Sequence, residues 1–479
     1  MRLFIPLILL LGMGSCSTPE TPIPPVQESH ELVVLTRNSP TTYYEDAQGN
    51  YAGLEYDLAN LFAKEIGVNV RFVVASDFNK IIPALVKKQA HLAAAGLTIT
   101  PEREKAVRFG PAYQTVQQQI VYNSLTLKPD DIGDLIGKKI EVIAGSSYAE
   151  RLKQAKKIFP KLEWREVTAM GIEDLLGKVA NGEVDYSIAD SHFVAMTQNF
   201  FPDLGVAFNL GKPEQLAWAF PKDGDPDLFA KAQKFFTRIQ KDGTLRRLLD
   251  RYYGHIERLN RIDVVTFLEK MNSTLPGYRK LFQQSQEITD SDWRLIAALG
   301  YQESHWDPLA TSPTGVRGLM MLTSDTADQL GVNDRLNPKE NIPAGAIYFL
   351  TLKEALPDHI PEPDKTWIAL AAYNVGMGHL EDARILAQRN KLNPDSWADL
   401  KKALPLLSKT SSYAALKHGY ARGGEAVVFV ENIRSYYNIM MKFEQPYKSP
   451  YPTLTTTKSA LRLAAFPSRP NNDVKRKEQ

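Results

Sequence analysis

Glu303 is the residue of this 479-residue chain whose type and surroundings are best suited to acid/base chemistry. It stands at the end of an apolar run that begins at Ala297, with Tyr301 and Trp306 as aromatic neighbours and Ser304 directly after it. A carboxyl in poorly solvated surroundings has its charged form disfavoured, so its pKa rises, as a general acid at neutral pH requires. The serine is placed to hydrogen-bond the carboxyl and orient it. The pattern places a single carboxylate, suited to the work of a general acid, at the end of an apolar helix.

Three further motifs follow Glu303 along the chain. They are GVRGLMM at 315–321, AAYNVG at 371–376 and ENIRSYY at 431–437. In this order, and with the Glu-Ser pair before them, they make residues 280–442 resemble the goose-type lysozyme fold of soluble and membrane-bound lytic transglycosylases. The resemblance implies a mainly helical catalytic domain that acts on the glycan strands of peptidoglycan.

The resemblance also implies roles for individual residues. Glu303 matches the catalytic acid/base and Ser304 the neighbour that steers the substrate. Four more side chains are expected around the sugars: Met320 as the apolar lining of the groove, Tyr373 and Asn374 of the AYN motif, and Tyr436, whose hydroxyl is expected to face the carboxyl.

One position departs from the family pattern. The usual glutamine of the second motif is Met321 here, which puts a polar substrate contact in question but need not affect the acid/base step. Met320 and Met321 are also compatible with a place in the hydrophobic core.

Ordinary glycosidases use two carboxylates, and the helical unit offers one good candidate. Asp307 lies four residues after Glu303, but Pro308 predicts that the helix is ending there. The resemblance implies that Glu303 protonates the oxygen between MurNAc and GlcNAc and then deprotonates the MurNAc C6 hydroxyl, which attacks C1. The expected product is a 1,6-anhydromuramoyl end formed without water. The alternatives are a lysozyme-like hydrolase that uses Asp307, and a solute or muropeptide receptor whose helical unit only binds the wall.

A second set of motifs lies in the first half of the chain: GLEYDLA from 53, GLTITPER at 96–103 and FGPAY at 109–113. They make residues 31–256 resemble the type 3 periplasmic amino-acid-binding proteins, in which two lobes close on a ligand. Four ligand-binding residues are expected: Arg103 for a carboxylate, Thr98 beside it, Ser147 at a strand-to-helix turn suited to anions, and Asp190 for an ammonium.

Arg37 stands where this family often has an acid for the α-ammonium of the ligand. A larger or more anionic ligand than a free amino acid, such as a cell-wall peptide, therefore fits the front unit better.

The elements that must position these residues can be read from hydrophobic periodicity. Strands are predicted at 31–36, 70–74, 91–99, 139–143, 184–188 and 216–220, with helices at 53–67, 79–89 and 147–158 and more within 226–253. This alternation indicates two α/β lobes, the first resuming after the second. Only helices are predicted beyond, at 261–271, 276–285, 291–303, 324–331, 342–355, 367–373 and 425–441. The expected fold is multidomain: a two-lobed α/β periplasmic-binding-protein-like domain followed by a mainly α lysozyme-like domain.

The first residues read as an export signal. Arg2 precedes a nine-residue apolar run at 3–11, too short to span a bilayer, and Gly14 and Ser15 stand directly before Cys16. This resembles a bacterial lipobox, whose cysteine receives the lipid, and Ser17 resembles the sorting residue of outer-membrane lipoproteins. The alternative is ordinary signal cleavage beside an unmodified cysteine. The expected location is the periplasmic face of the outer membrane.

Five segments are thus predicted: a signal peptide at 1–15, a Pro-rich tether at 16–30, a solute-binding-like domain at 31–258, a transglycosylase domain at 259–448 and a disordered tail at 449–479.

Composition excludes several other classes. With 57 Lys and Arg against 55 Asp and Glu, the net charge of +2 gives no general attraction to nucleic acid. A single cysteine excludes an intrachain disulfide and a multi-thiolate metal site. The histidines lack ligand spacing and no phosphate loop or dinucleotide fingerprint occurs, so we expect no metal and no cofactor.

Overall fold

Residues 23–45, 49–256, 259–313 and 315–449 are described by the structure, a computed structural model of the chain. The predicted signal peptide, Cys16 and the segment from 450 to 479 lie outside these residues. Residues 23–30, predicted as part of the tether, instead pack on the first lobe. Val26 is buried there, and Nε2 of His91 donates to the carbonyl of Pro24 at 2.9 Å because Nδ1 of the same ring accepts from Val33.

Twelve strands occur among the described residues. They are β1 (Glu31–Thr36), β2 (Tyr44–Glu45), β3 (Tyr51–Ala52), β4 (Asn69–Val74), β5 (Leu92–Thr98), β6 (Val107–Val116), β7 (Gln118–Asn123), β8 (Glu141–Ile143), β9 (Arg165–Val167), β10 (Tyr186–Asp190), β11 (Leu204–Asn209) and β12 (Glu214–Pro221).

Nineteen α-helices occur in the same residues. They are α1 (Val26–Ser29), α2 (Leu54–Ile66), α3 (Ile81–Val86), α4 (Pro101–Glu104), α5 (Ser147–Ala155), α6 (Ile172–Ala180), α7 (Ser191–Gln198), α8 (Pro226–Lys241), α9 (Thr244–Tyr253), α10 (Arg261–Ser273), α11 (Arg279–Thr289), α12 (Trp293–Ser304), α13 (Ser324–Gln329), α14 (Pro338–Glu354), α15 (Asp364–Val375), α16 (Met377–Arg389), α17 (Trp397–Ala403), α18 (Thr410–Tyr413) and α19 (Gly423–Phe443).

The first lobe is built on a five-stranded sheet in the order β4-β1-β5-β12-β6. Strand β1 pairs in parallel with β4 and β5, whereas β12 runs antiparallel to both β5 and β6. The central strands are buried on both faces because helices cover the sheet, so they read as continuous apolar runs.

The second lobe carries the antiparallel sheet β10-β7-β11 and the parallel pair β8-β9. The chain enters this lobe between β6 and β7 and leaves it between β11 and β12, so the first lobe resumes after the second as predicted. Strands β6 and β7 were not predicted as strands.

The remaining helices, from α10 onward, form a third unit around one hydrophobic core. Helix α19 is its longest element, with 21 residues, and packs against α12 and α15. Sequence periodicity located α10, α12 and α19 closely but did not predict α16 and α17. No helix among the described residues combines the length and the apolar composition required to cross a bilayer.

Helix α9 joins the first lobe to the helical unit through charged side chains. Its Arg251 bonds Asp57 of α2 at 3.4 Å and Asp364 of α15 at 3.1 Å. From the other side, Nη2 of Arg434 in α19 donates to the backbone carbonyls of Asp250 and Arg251, at 3.2 and 2.9 Å. The first lobe and the helical unit therefore share a polar, partly buried interface.

Candidate functional site

Glu303 lies in the last turn of α12, next to an abrupt change of chain direction. The two residues after the helix, His305 and Trp306, both have left-handed backbones, with φ of 52° and 58°. Such backbones are costly for residues with side chains and persist where surrounding contacts hold them. Trp306 supplies such a contact, because it is buried and its Nε1 donates to the carbonyl of Ala297 at 2.8 Å. The end of α12 is thereby anchored, and with it the backbone from which the Glu303 side chain extends.

Burial raises the pKa of the Glu303 carboxyl to about 8, and burial is the one cause of that shift. Among the residues that the structure describes, the carboxyl has no hydrogen-bond or ion-pair partner. Glu303 is therefore mostly protonated at neutral pH and can donate a proton, as the sequence predicted.

A short loop faces the end of α12. We call residues Gly318 to Met321 the GLM loop. Oγ of Ser304 donates to the carbonyl of Leu319 at 2.8 Å and to that of Gly300 at 3.2 Å. The serine was expected to orient the carboxyl, but its hydroxyl proton is directed to backbone carbonyls, so in this structure it fastens the loop to the helix.

Met320 does not line a groove, because its side chain is 0% exposed. It fills the space between two helix glycines: a Cβ added to Gly345 of α14 would lie 2.5 Å from its Cβ, and one added to Gly300 would lie 3.0 Å from its Sδ. Met321, partly exposed and with a φ of 49°, is the methionine of this loop that reaches the surface. The core alternative considered for Met320 is the one that the structure shows.

Tyr373 of α15 contacts the GLM loop at the residue after the one that Ser304 holds. Its hydroxyl donates to the carbonyl of Met320 at 2.8 Å, and its ring packs against Tyr348 at 5.1 Å between centroids. Burial, and after it the charge of Glu303, raises the pKa of Tyr373 well above its usual value. Asn374, the next residue, is exposed near the end of α15.

Tyr436 occupies a different place from the one expected. It is 5% exposed, and its ring packs against Phe267 and Tyr301 at 4.6 and 4.8 Å. Burial, then the charges of Tyr301 and Asp263, raise its pKa; the charge of Glu303 acts on Tyr373 instead. Tyr436 packs in the aromatic core, because it lies on the Tyr301 side of α12.

Asp307, the alternative second carboxylate, is exposed beyond the end of α12. Its Oδ1 accepts a hydrogen bond from the backbone N–H of Leu309 at 2.9 Å. The helix ends before Asp307, as Pro308 predicted, so the two carboxylates do not share a helix face.

The residues predicted to bind a ligand between the lobes contact one another instead. Oγ of Thr98 and Oγ of Ser147 lie 3.2 Å apart. The guanidinium of Arg103 donates to Glu150 at 3.0 Å and to the carbonyls of Thr98 and Gly145, both at 3.1 Å. A carboxylate of the protein itself thus occupies the arginine. Sequence reasoning missed Glu150, although it follows Ser147 by three residues on the same face of α5.

Asp190 and Arg37 lie deeper between the lobes. Asp190 is 3% exposed, burial raises its pKa to about 7, and its Oδ1 has no partner among the described residues. The guanidinium of Arg37 lies 4.8 Å from the ring centre of Phe78 and 5.3 Å from that of Phe193, and its Nε is also unpartnered there. Of the four predicted ligand-binding residues, Asp190 thus keeps a polar atom unpartnered within the described part of the chain, and Arg37, the departure from the family pattern, keeps another.

A cavity of about 590 Å³ opens beside Arg37, between the two lobes. Its walls come from the segments 37–40 and 75–79 of the first lobe and 167–174 of the second. The acidic side chains of Asp77, Glu173 and Asp174 lie around it. A ligand there would meet one cation and several carboxylates.

Comparison with known proteins agrees with this two-part architecture. Residues 32–255 match the model of bacterial extracellular solute-binding proteins, family 3, and residues 280–395 match that of the transglycosylase SLT domain. An ancestral arginine-binding protein bound to arginine is 28% identical over 47% of this chain and 98% of that chain, with a TM-score of 0.43.

Two curated relatives extend over nearly the whole chain, and both are named membrane-bound lytic murein transglycosylase F. The protein from Methylobacillus flagellatus is 51% identical over 95% of this chain and 97% of its own length. The protein from Nitrosospira multiformis is 51% identical over 93% of this chain and 94% of its own length. The combination of a solute-binding domain, an SLT domain and identity at this level over both shows that the chain belongs to the family of membrane-bound lytic murein transglycosylase F.

Proposed function

We propose that this protein is a peptidoglycan lytic transglycosylase that cleaves the β-1,4 bond between MurNAc and GlcNAc with Glu303 as its single acid/base. The observation that carries the proposal is the carboxyl of Glu303, whose pKa is raised to about 8 by burial. The names of the relatives and the SLT match support the same activity.

The reaction needs one proton shuttle. The protonated carboxyl of Glu303 donates its proton to the glycosidic oxygen, the bond from MurNAc C1 to that oxygen breaks, and GlcNAc leaves as the free 4-hydroxyl. The carboxylate then takes the proton of the MurNAc C6 hydroxyl while O6 bonds to C1. Glu303 ends protonated, no water is consumed, and the product is a 1,6-anhydromuramoyl end. A raised pKa suits both steps of the reaction, because the carboxyl must give up a proton and regain one near neutral pH.

Replacing Glu303 tests this mechanism. Glu303→Gln keeps the size of the side chain and removes the proton, so release of anhydro-muropeptides from purified sacculi should fall by at least ~10²-fold. Asp307→Asn is the matched control and should retain wild-type release. Undiminished release by Glu303→Gln would remove this residue from the mechanism. Muropeptides with reducing ends from the wild type would instead indicate the lysozyme-like hydrolase.

We propose further that the front domain binds a cell-wall peptide in the cavity beside Arg37, and that ligand binding regulates the catalytic unit. A free amino acid is disfavoured because Glu150 already occupies Arg103. A peptide carboxylate could pair with Arg37, and its amino groups with Glu173 and Asp174, which lie around the same cavity.

Calorimetric titration with a wall tetrapeptide, against free glutamate and free arginine, tests the ligand. We expect the wild type to give a heat of binding with the peptide and none with either free amino acid. This heat should disappear in Arg37→Gln and remain in the surface control Arg71→Gln. Binding of the free amino acids by the wild type would refute the peptide assignment. Equal catalytic rates with and without bound peptide would refute regulation.

We propose that Cys16 carries a lipid that holds the protein on the periplasmic face of the outer membrane. The support is the sequence around Cys16 and the membrane-bound label in the names of the relatives. Cys16→Ser should appear in the soluble periplasmic fraction and fail to incorporate labelled palmitate. Membrane retention of that variant would contradict the anchor.

A further inference from the structure

The GLM loop is held from inside by one side chain that no motif of the site includes, Asn341 of α14. Asn341 is 0% exposed. Its Oδ1 accepts the backbone N–H of Met320 at 2.6 Å, and its Nδ2 donates to the carbonyls of Arg335 at 2.9 Å and Arg317 at 3.3 Å. Both the oxygen and the nitrogen of the Asn341 amide therefore hydrogen-bond backbone groups of the loop and of the residues beside it.

The backbone of the loop is one that needs such support. Gly318 has a φ of 82°, and a Cβ there would lie 1.9 Å from the carbonyl oxygen of Arg335 and 2.5 Å from Nδ2 of Asn341. Met321 has a φ of 49°, which is unfavourable for a residue with a side chain. Buried hydrogen bonds to Asn341 offset this cost and select one conformation of the loop.

Arg335 supports the same loop from its solvent side. Its Nη1 donates to the carbonyl of Gly315 at 2.9 Å and to that of Leu322 at 3.0 Å. These two residues flank the loop, so Arg335 joins its ends. Arg335 is partly exposed, which makes it replaceable with little effect on packing.

The conformation of the loop matters because its carbonyls receive the side chains next to the acid. The carbonyl of Met320 accepts the hydroxyl of Tyr373, and the N–H of the same residue is the one bound by Asn341. Asn341 therefore holds the backbone N–H of Met320, and Tyr373 holds its carbonyl.

We propose that Asn341 is a positioning residue of the acid/base site: by holding the backbone of Met320, it keeps the Tyr373 hydroxyl on the loop and away from the Glu303 carboxyl. This inference rests on the proposed transglycosylase function. It assigns Asn341 no contact with the substrate.

The pKa of Glu303 depends on which acceptor receives the phenol proton of Tyr373. With the loop in place, the phenol proton is used by Met320 and burial alone sets the high pKa of Glu303. With the loop loosened, the phenol is free to donate to the ionised carboxylate, which stabilises the charged form and lowers the pKa of Glu303. The titratable groups packed here are Tyr373 of α15 and Tyr348 of α14, whose ring contacts that of Tyr373.

The test measures kcat and KM on soluble, uncrosslinked peptidoglycan from pH 5 to 10 for Asn341→Ser, Arg335→Ala, Tyr373→Phe and the double variant Asn341→Ser/Tyr373→Phe. We expect Asn341→Ser to lose ~10- to 100-fold, mainly in kcat. Its loss of activity at high pH should occur at lower pH than in the wild type, and Arg335→Ala should shift in the same direction. Because Tyr373 and Asn341 act through one residue, the double variant should be little worse than the worse single variant.

Thr289→Val is the matched control, because Thr289 is 2% exposed and its Oγ1 donates to Ser285 within α11, without contact to the loop. It should lose stability, keep the wild-type pH profile and combine additively with Tyr373→Phe.

An Asn341→Ser protein with an unchanged pH profile, and a loss that adds fully to that of Tyr373→Phe, would reduce Asn341 to a packing role and overturn the inference. If Asn341→Ser does not fold, an unshifted pH profile in Arg335→Ala overturns it equally. A wild-type protein that releases no anhydro-muropeptides refutes the proposed function, which is a separate result.

Discussion

Glu303 illustrates how burial, without a hydrogen-bond or ion-pair partner among the described residues, keeps a single carboxyl protonated. An ion pair or a donated hydrogen bond would stabilise its charged form and lower its pKa. The side chains nearest in the motifs direct their protons elsewhere: Ser304 to Leu319 and Tyr373 to Met320. The neutral form of Glu303 is thereby favoured at neutral pH.

Activity should consequently fall on the alkaline side. The acid form is required to start the reaction, and the pKa of Glu303 is about 8, so kcat/KM should be nearly constant around pH 6 to 7 and drop as pH rises through about 8. Initial rates on soluble peptidoglycan across that range measure the profile. A rise in activity between pH 7 and 9 would contradict the assignment of Glu303 as the acid.

The same environment should cost stability at high pH. The pKa of Glu303 is higher in the folded chain than its ordinary value of 4.5, so the folded state binds this proton more tightly than the unfolded state does. The favourable contribution is complete below pH 4.5 and is lost as pH rises to about 8. At pH 8, Glu303→Gln should therefore be more stable than the wild type by ~1–3 kcal/mol, measured by urea unfolding, with little difference at pH 4.5. Equal stability of the two proteins at pH 8 would show that the carboxyl is not desolvated.

At the scale of elements, the site depends on how closely α12, α14 and the GLM loop approach one another. Gly300 and Gly345 leave the room that Leu319 and Met320 fill, since a Cβ on either glycine would lie within 3.0 Å of them. Small residues facing a large one allow dense packing between helices.

Gly345→Ala should accordingly displace Met320 and with it the carbonyl that holds Tyr373. Overpacking of this kind costs ~1–3 kcal/mol, and the loop shift should lower kcat. Gly277→Ala is a matched control, because nothing lies within 4 Å of an added Cβ there. Urea unfolding and initial rates on both variants measure the effect, and a Gly345→Ala protein as stable and active as the control would contradict the close packing.

At the scale of the whole molecule, α9 connects the front domain and the catalytic unit by direct side-chain contacts. Its Arg251 contacts α2 on one side and α15 on the other, and the last turn of α15 carries Tyr373 and Asn374. A change in the front lobe therefore has a physical route to a helix of the active site, which is what regulation by a ligand would require.

Arg251→Ala should loosen this junction. Removing a partly buried charge that pairs with two carboxylates should cost ~1–3 kcal/mol and separate the thermal unfolding of the two parts into distinct transitions. Arg71→Ala is the control, since Arg71 forms an exposed pair with Glu31, and it should change stability by less than ~0.5 kcal/mol. A single, unshifted transition in Arg251→Ala would show that the contact does not couple the domains.

The sequence by itself predicted the two-part architecture and six of the twelve strands described, and it indicated Glu303 as the candidate acid. Hydrophobic periodicity, the Glu-Ser pair and the other motifs are local patterns, so they can be recognised in the sequence without coordinates. Strand β6 was missed because it contains Gly110 and Pro111, residue types that are depleted in strands. Strand β7 and helices α6, α7, α16 and α17 were not predicted either.

Only the tertiary structure decided where each side chain directs its hydrogen bonds. It turned Ser304 toward the GLM loop, buried Met320 in the core, placed Tyr373 rather than Tyr436 beside the acid, and closed Arg103 onto Glu150. Asn341 and Arg335 belong to no motif, and their role arises from contacts to backbone groups of other segments. Such contacts depend on distances between residues far apart in the chain, which spacing along a sequence does not encode.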